Sequence, residues 1–483
     1  MSTKEDPIVV ARRVLDRTFE VYVTSDGSPF AVPRDGGRAI MLTPRGEGAA
    51  LGVLRLASEG ESPRVPRSAL VEALTWAHDL APQTAPVADL HLRAAQPKPG
   101  MIVLDLGEMN STRCIVITRK GWKARDRPPA GVHFRLSRAT RALPEPKHGA
   151  HGHKTLRRLL GWSKKDGRWL MARGWLAAAL FPDIARPLLF ATGTAGSGKT
   201  FRGRVLASVL DPRDELGGSL GKDERDALVA AGARYIAAWD NITSVSIETS
   251  NLICRLVTGG SDERRVLYSD EDVHVRAIRR TGIITALSLP MLEADALERI
   301  IPVHCETIPS GERTSESRMR AAFDDAHPQI LGAVLDDVVR VLGQLPEVQA
   351  TKRSRPRMAD FSDVLYALDP AIDNAYREAT ADMVREVAEG DPFIGAVADW
   401  LRGIAEKNGL PFTMAPSDAL TALRASLPPF GRHDAYLPKT PSGLSQMLTK
   451  NAGPLRSLGF SVTRKTVRGA KYDVYDRAQE EKP

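Results

Sequence analysis

The run Leu188–Leu189–Phe190–Ala191–Thr192–Gly193–Thr194–Ala195–Gly196–Ser197–Gly198–Lys199–Thr200 carries a short apolar stretch into a G-x-x-x-x-G-K-T string. Residues 201–210 then read as a helix. Strand, glycine-rich loop and helix in that order are what a phosphate cradle needs. Glycine lets the backbone wrap closely around phosphate oxygens, so that amide N–H groups and a helix N-terminus face the negative charge. Gly193, Thr194, Ala195, Gly196, Ser197, Gly198, Lys199 and Thr200 are therefore the expected triphosphate contacts. Lys199 can reach the β- and γ-phosphates, and the Thr200 hydroxyl can ligate Mg²⁺. The alternative is a chance glycine-rich turn, which the flanking strand and helix patterns disfavour.

A second acid is needed for the metal. Arg234–Tyr235–Ile236–Ala237–Ala238–Trp239–Asp240–Asn241 is a buried-strand pattern ending in Asp-Asn, about forty residues after Lys199. A carboxylate at the tip of a strand beside the phosphate loop can hold Mg²⁺ directly or through water. Asp240 is the expected metal residue; a solvent-facing strand-end aspartate is the other reading. Asn241 has no carboxylate to accept a proton and can only orient water. Asp223, Glu224 and Asp226 in the preceding segment are alternative acids.

Further on comes Cys254–Arg255–Leu256–Val257–Thr258–Gly259–Gly260–Ser261–Asp262–Glu263–Arg264–Arg265–Val266–Leu267–Tyr268, then a polar stretch and the apolar strand to Leu287. Here the chain resembles superfamily 3 helicases, of the AAA+ type, and especially the phage and plasmid primase-helicases related to the poxvirus type. The resemblance is clearest over residues 187–303 and extends loosely to the C-terminal segment. It implies a ring, usually a hexamer, that binds ATP between subunits and moves a hairpin along single-stranded DNA. That hairpin falls at about residues 266–276, with Arg264, Arg265, His274 and Arg276 as the implied backbone contacts. Asp270, Glu271 and Asp272 near its tip would repel phosphate. Arg299 matches the family's arginine after the sensor strand, which acts across a subunit boundary; a local salt bridge to Glu293 or Glu298 is the alternative. The family usually places an asparagine at the end of that strand. This chain offers Thr285 or Ser288 instead, and a hydroxyl has only one proton to give.

The elements that must carry these residues divide the 483-residue chain into several parts, as its length requires. Strand-like runs at 187–192, 235–239, 282–287 and 300–303 alternate with helical ones, as in a parallel α/β sheet. The expected organisation is an N-terminal α+β domain (1–150), a helical connector (151–181), a P-loop ATPase core (182–310), a helical region (311–390) and a winged-helix-like domain (391–483). The basic, proline-containing linker at 351–358 reads as exposed. The last segment reads helix–helix–hairpin, with Arg464, Lys465 and Arg468 where a wing would meet DNA, or else with the module serving only for packing.

Composition sets the class. Hydrophobic residues make up 42% and charged residues 26%, as in a soluble globular protein, and no apolar run is long enough to cross a bilayer. The first residues lack the apolar core of a signal peptide, so a cytoplasmic location is expected. The three cysteines are far apart, and His148, His151 and His153 have no cysteine nearby, so a solvated loop is preferred there over a zinc site. Residues 111–173 carry 17 Lys+Arg against 3 Asp+Glu, leaving 50 against 56 elsewhere. Such a block is an electrostatic footprint for nucleic acid, or a solvated face or subunit contact. The expected activity is thus an ATP- and Mg²⁺-dependent DNA helicase of a phage, prophage or plasmid-like element. It would run as a homo-oligomeric ring on single-stranded DNA, with duplex at the C-terminal module as a further option. The rivals are an ATP-gated DNA-binding switch without unwinding and a small-molecule kinase.

Overall fold

The computed structural model describes residues 5–61, 64–149, 151–218, 224–242, 247–259, 261–265, 273–277, 279–288, 292–427, 436–467 and 470–478. The chain is a mixed α/β protein. Its first part comprises α1 (Pro7–Thr18), β1 (Phe19–Val23), β2 (Pro29–Pro33), β3 (Ile40–Met41), α2 (Ala49–Ala57) and α3 (Arg67–Thr84). Val14, Leu54, Leu70 and Leu74 close a small core of their own. Next come β4 (Leu90–His91), β5 (Ala94–Lys98), β6 (Met101–Asp105), β7 (Cys114–Thr118), β8 (Gly121–Arg125) and β9 (His133–Phe134), with β5 to β8 forming an antiparallel meander.

Strand alternation splits that meander between two cores. Ile102, Leu104, Ile115 and Ile117 join the large central cluster, while Ala95, Val103 and Cys114 meet Val132 and Phe134. The first three helices and their sheet have a separate core, and the meander is built onto the central body.

That body holds α4 (Gly152–Leu159), α5 (Gly167–Ala179), β10 (Leu188–Thr192), α6 (Lys199–Leu210), α7 (Glu224–Gly232), β11 (Ile236–Ile242) and α8 (Ile247–Thr258). The hairpin β12 (Ser261–Arg265) and β13 (Val273–Ala277) precedes β14 (Thr281–Ala286), α9 (Ala294–Leu297) and β15 (Ile300–His304). Strands β11, β14, β10 and β15 pair in that order, all parallel. Buried on both faces, they read as continuous apolar runs rather than alternating ones. Trp175 of α5 is buried beneath them and donates its indole N–H to Thr281 Oγ1 at 2.9 Å, which ties the connector to the sheet.

Three helices follow: α10 (Glu316–Ala350), α11 (Ala359–Leu368) and α12 (Pro370–Gly390). The linker between α10 and α11 keeps Thr351, Lys352 and Arg357 exposed, but its arginines are tied down. Arg353 and Arg355 turn inward to Asp363, and Arg353 also reaches the buried Asp373 of α12. Arg357 pairs with Asp295 and Glu298.

The final part contains α13 (Pro392–Asn408), β16 (Phe412–Met414), α14 (Pro416–Ser426), α15 (Pro441–Lys450), α16 (Ala452–Ser457), β17 (Phe460–Val467) and β18 (Ala470–Arg477). Its sheet has the antiparallel order β16–β18–β17 over a separate core of Phe393, Trp400, Leu444 and Tyr475. Among the described residues no helix is long and apolar enough to cross a membrane.

Candidate active site

In an open parallel sheet, ligands are received beyond the carboxyl ends of the strands. Here the ends of β10, β14 and β11 are adjacent, and each contributes to one cluster. β10 runs into the glycine-rich loop. Gly193 has φ +153°, and a Cβ there would lie 2.3 Å from the Cys305 carbonyl oxygen, so no side chain fits. Gly196 and Gly198 have φ of +79° and +68°, the left-handed region that favours glycine. Gly198 starts α6 with no side-chain cap, so the first-turn N–H groups face outward for a ligand.

Two polar groups inside the loop lack a partner among the described residues. Ser197 is fully buried, and its Oγ makes no hydrogen bond. Lys199 is 8% exposed and has no carboxylate against it. An ammonium with no carboxylate against it is available to a negatively charged ligand.

The three strand ends meet at Asp240. Its Oδ1 accepts the Thr200 hydroxyl at 2.9 Å and the Thr285 hydroxyl at 2.5 Å. Thr285 is itself fully buried, and its oxygen accepts the Asn241 backbone N–H at 2.8 Å. Asn241 makes that bond at φ +56°, uncommon for a non-glycine residue, where the β11–β14 register shifts. The sequence suggests Thr285 as a holder of water. In the structure its one proton goes to Asp240, so it orients that carboxylate instead. The Asn241 side chain is exposed. Ser288 is exposed, Asp223 lies outside the described residues, Glu224 opens α7, and Asp226 is an exposed residue of the same helix.

The geometry of Arg299 departs from the resemblance. It is 8% exposed, and its Nη1 donates to both the backbone and the carboxylate of Asp295, at 2.6 Å each. Cys254 donates to the same carboxylate at 3.1 Å, its thiol pushed up to about 11 mainly by burial. Burial pushes Asp295 up, but the bonds from Arg299 and Cys254 hold it below the usual carboxylate range. Within this chain the partner of Arg299 is thus Asp295 rather than Glu293 or Glu298, and its Nε has no hydrogen-bond partner among the described residues.

Beside the loop lies a cavity of about 520 Å³ that sequence reasoning does not anticipate. Leu159, Trp162, Phe201, Arg202, Ile308 and Arg313 are among its lining residues. Arg202 is held by the Leu160 and Ser197 carbonyls. Arg313 donates to the Ile308 carbonyl at 3.2 Å, and its guanidinium lies 3.0 Å from where a Cβ on Gly196 would be. No spacing rule marks Arg313, because it follows β15 and reaches the loop only through the fold.

The implied DNA contacts are dispersed. Arg264 is the cross-strand partner of His274, Arg265 of Val273 and Arg276 of Asp262 in the β12–β13 hairpin. Residues 266–272, including Asp270, Glu271 and Asp272, lie outside the described residues, as does Arg468. Arg464 is tied to Asp473 at 3.1 Å, while Lys465 is exposed.

Residues 154–386 match the family model described as Actinomycete integrative conjugative element replication protein. The matched segment runs from α4 through α12 and contains the loop, Asp240, Thr285 and Arg299. Among solved structures, the apo C-terminal region of NrS-1 is similar at 12% identity with a TM-score of 0.40, over 98% of this chain and 100% of that one. JCV helicase is similar at 10% identity with a TM-score of 0.22, over 47% of this chain and 69% of that one. No curated protein matches.

Proposed function

We propose that this chain is a P-loop ATPase that acts on DNA as a ring-forming replication motor of a mobile element. The observation that carries the reading is the cluster of Thr200, in the first turn of α6 after β10, with Asp240 and Thr285 at the ends of β11 and β14, next to Lys199. The glycine cradle, the orphaned Ser197 hydroxyl and the lysine fit a triphosphate, and Thr200 and Asp240 are hard oxygen donors suited to Mg²⁺. When bound, Mg²⁺ would neutralise charge on the β- and γ-phosphate oxygens. Lys199 adds a positive charge on the same oxygens, and the backbone N–H groups of the loop orient them. The cavity beside the loop receives the rest of the nucleotide, with Arg313 positioned over the phosphates. The helices and sheet of residues 391–483 support a winged-helix module, and the match to replication proteins of conjugative elements supports DNA as the substrate.

ATP turnover by the purified chain, with and without single-stranded DNA and alongside its mass in solution, tests this reading. DNA-stimulated, Mg²⁺-dependent turnover in a ring-sized assembly is expected. Tight ATP binding with negligible turnover would select the ATP-gated binding switch. One observation favours that second reading: the buried hydroxyl of the sensor strand is committed to Asp240 and is not free to orient water.

Thr285→Val is expected to lower kcat roughly tenfold, about 1.4 kcal/mol, because Asp240 loses a donor and the Asn241 N–H an acceptor. The Mg²⁺ concentration for half-maximal rate should rise with it, and Thr285→Ser should restore both. An unchanged metal requirement in Thr285→Val would show that the threonine does not position Asp240.

A further inference from the structure

The excess of positive charge in residues 111–173 resolves into a defined feature in the structure. Arg119, Lys120, Lys123, Arg125 and Arg127 fall within nine residues that contain a single acid, Asp126. All five are exposed, and none has a carboxylate partner among the described residues. They lie on the β7–β8 turn, along β8 and just beyond it, and β8 is the edge strand of the meander.

Asp126 offsets one of the five charges, while the acids of the surrounding elements are engaged elsewhere. Asp105 is buried and held by Arg38, Glu145 pairs with Arg113, and Asp337 takes both Arg173 and His153. Asp336 accepts the Trp122 indole N–H at 2.8 Å. Trp122 and His148 stack with ring centroids 3.9 Å apart, so the tryptophan pins the hairpin to α10 and its stacked face is closed to a base. His148 lies 3.8 Å from Asp336, and His153 2.9 Å from Asp337.

We infer that this edge is a docking track for the phosphate backbone of single-stranded nucleic acid, read without regard to sequence. The inference rests on the proposed action on DNA and adds a contact outside the β12–β13 hairpin and the C-terminal module. Side chains two apart on a strand repeat at about 6.7 Å, so Lys123 and Arg125 present charge at a regular extended spacing. A rigid row of cations binds by releasing counterions, which makes affinity steeply salt-dependent and sequence-tolerant.

The test is fluorescence anisotropy of a labelled oligothymidylate against the full chain across a salt titration. The triple substitution Lys120→Ala, Lys123→Ala, Arg125→Ala should weaken binding roughly tenfold or more and flatten the log–log salt slope by about 2. Its melting temperature should match wild type, and a control at the exposed Arg13→Ala and Arg385→Ala should leave the affinity alone. Charge reversal by Lys123→Glu with Arg125→Glu should weaken binding further. Wild-type affinity and slope in the triple variant would overturn the inference, leaving the cations as guards of an exposed strand edge. Loss of binding to an acidic peptide but not to the oligonucleotide would overturn it in favour of a protein partner. If the wild-type chain turned over ATP but bound no oligonucleotide, this inference and the DNA substrate would fall together while the ATPase site stood.

Discussion

Replacing Lys199 with alanine is expected to abolish ATP hydrolysis, lowering turnover roughly 10³-fold, while the fold stays intact. Deleting one preorganised group that faces developing charge costs about 10²–10³ in rate, and here that group is a full cation. Lys199 sits at the first position of α6 beside the cradle, with no carboxylate competing for its ammonium among the described residues. That same isolation predicts the stability outcome. Truncation breaks no ion pair among the described residues and places a strong helix former in the first turn, so the melting temperature should hold. Turnover under saturating ATP and Mg²⁺, with melting followed in parallel, separates the two. Retained hydrolysis in a folded Lys199→Ala chain would remove the loop from the chemistry.

What is legible in the sequence follows from how local each feature is. The glycines at 193, 196 and 198 are readable because positive φ and close backbone approach leave almost no other residue type possible. Asp240 is readable because a carboxylate closing a buried strand is costly unless it meets a donor or a cation there. Thr285 is visible as a hydroxyl at the right strand end, but its orientation depends on three strands from distant parts of the chain converging. Arg299 is more instructive. Its i−4 neighbour is Asp295, the spacing that brings side chains together on a helical turn, and that cue outweighs the neighbours at 293 and 298. The linker at 351–358 is legible only in part. Proline and arginine read as a solvated loop, and Thr351, Lys352 and Arg357 are exposed, but the carboxylates that hold Arg353 lie up to twenty residues on, in α11 and α12. In the meander, strand alternation shows that there are two apolar faces, but not which cores they join.

The ion-pair network of the same linker supplies the second large effect. Asp373→Ala is expected to destabilise the central body by about 3–5 kcal/mol, the usual cost of removing one partner from a buried ion pair. Asp373 is 2% exposed and accepts from Arg353 Nη1 at 2.9 Å, Arg377 Nε at 3.1 Å and the Ser362 hydroxyl at 2.6 Å. Asp363 accepts from Arg353 and Arg355, and the Arg353 guanidinium lies 4.7 Å over the Tyr366 ring. Removing Asp373 leaves these guanidinium groups sharing one remaining carboxylate in a largely buried space, so the penalty exceeds that of an exposed pair, which is about 0–1 kcal/mol. For a body of this size the melting transition should fall by roughly 10 °C, measured without nucleotide because a ligand would itself shift it. Asp373→Asn keeps hydrogen-bonding capacity but loses the charge, and should fall between the two. Because Arg357 on the same linker holds Asp295 and Glu298, the loosened variant should also free the segment around Arg299. A transition within about 1 °C of wild type would show that the network merely decorates a surface, and that packing of α10 against α11 alone holds the linker in place.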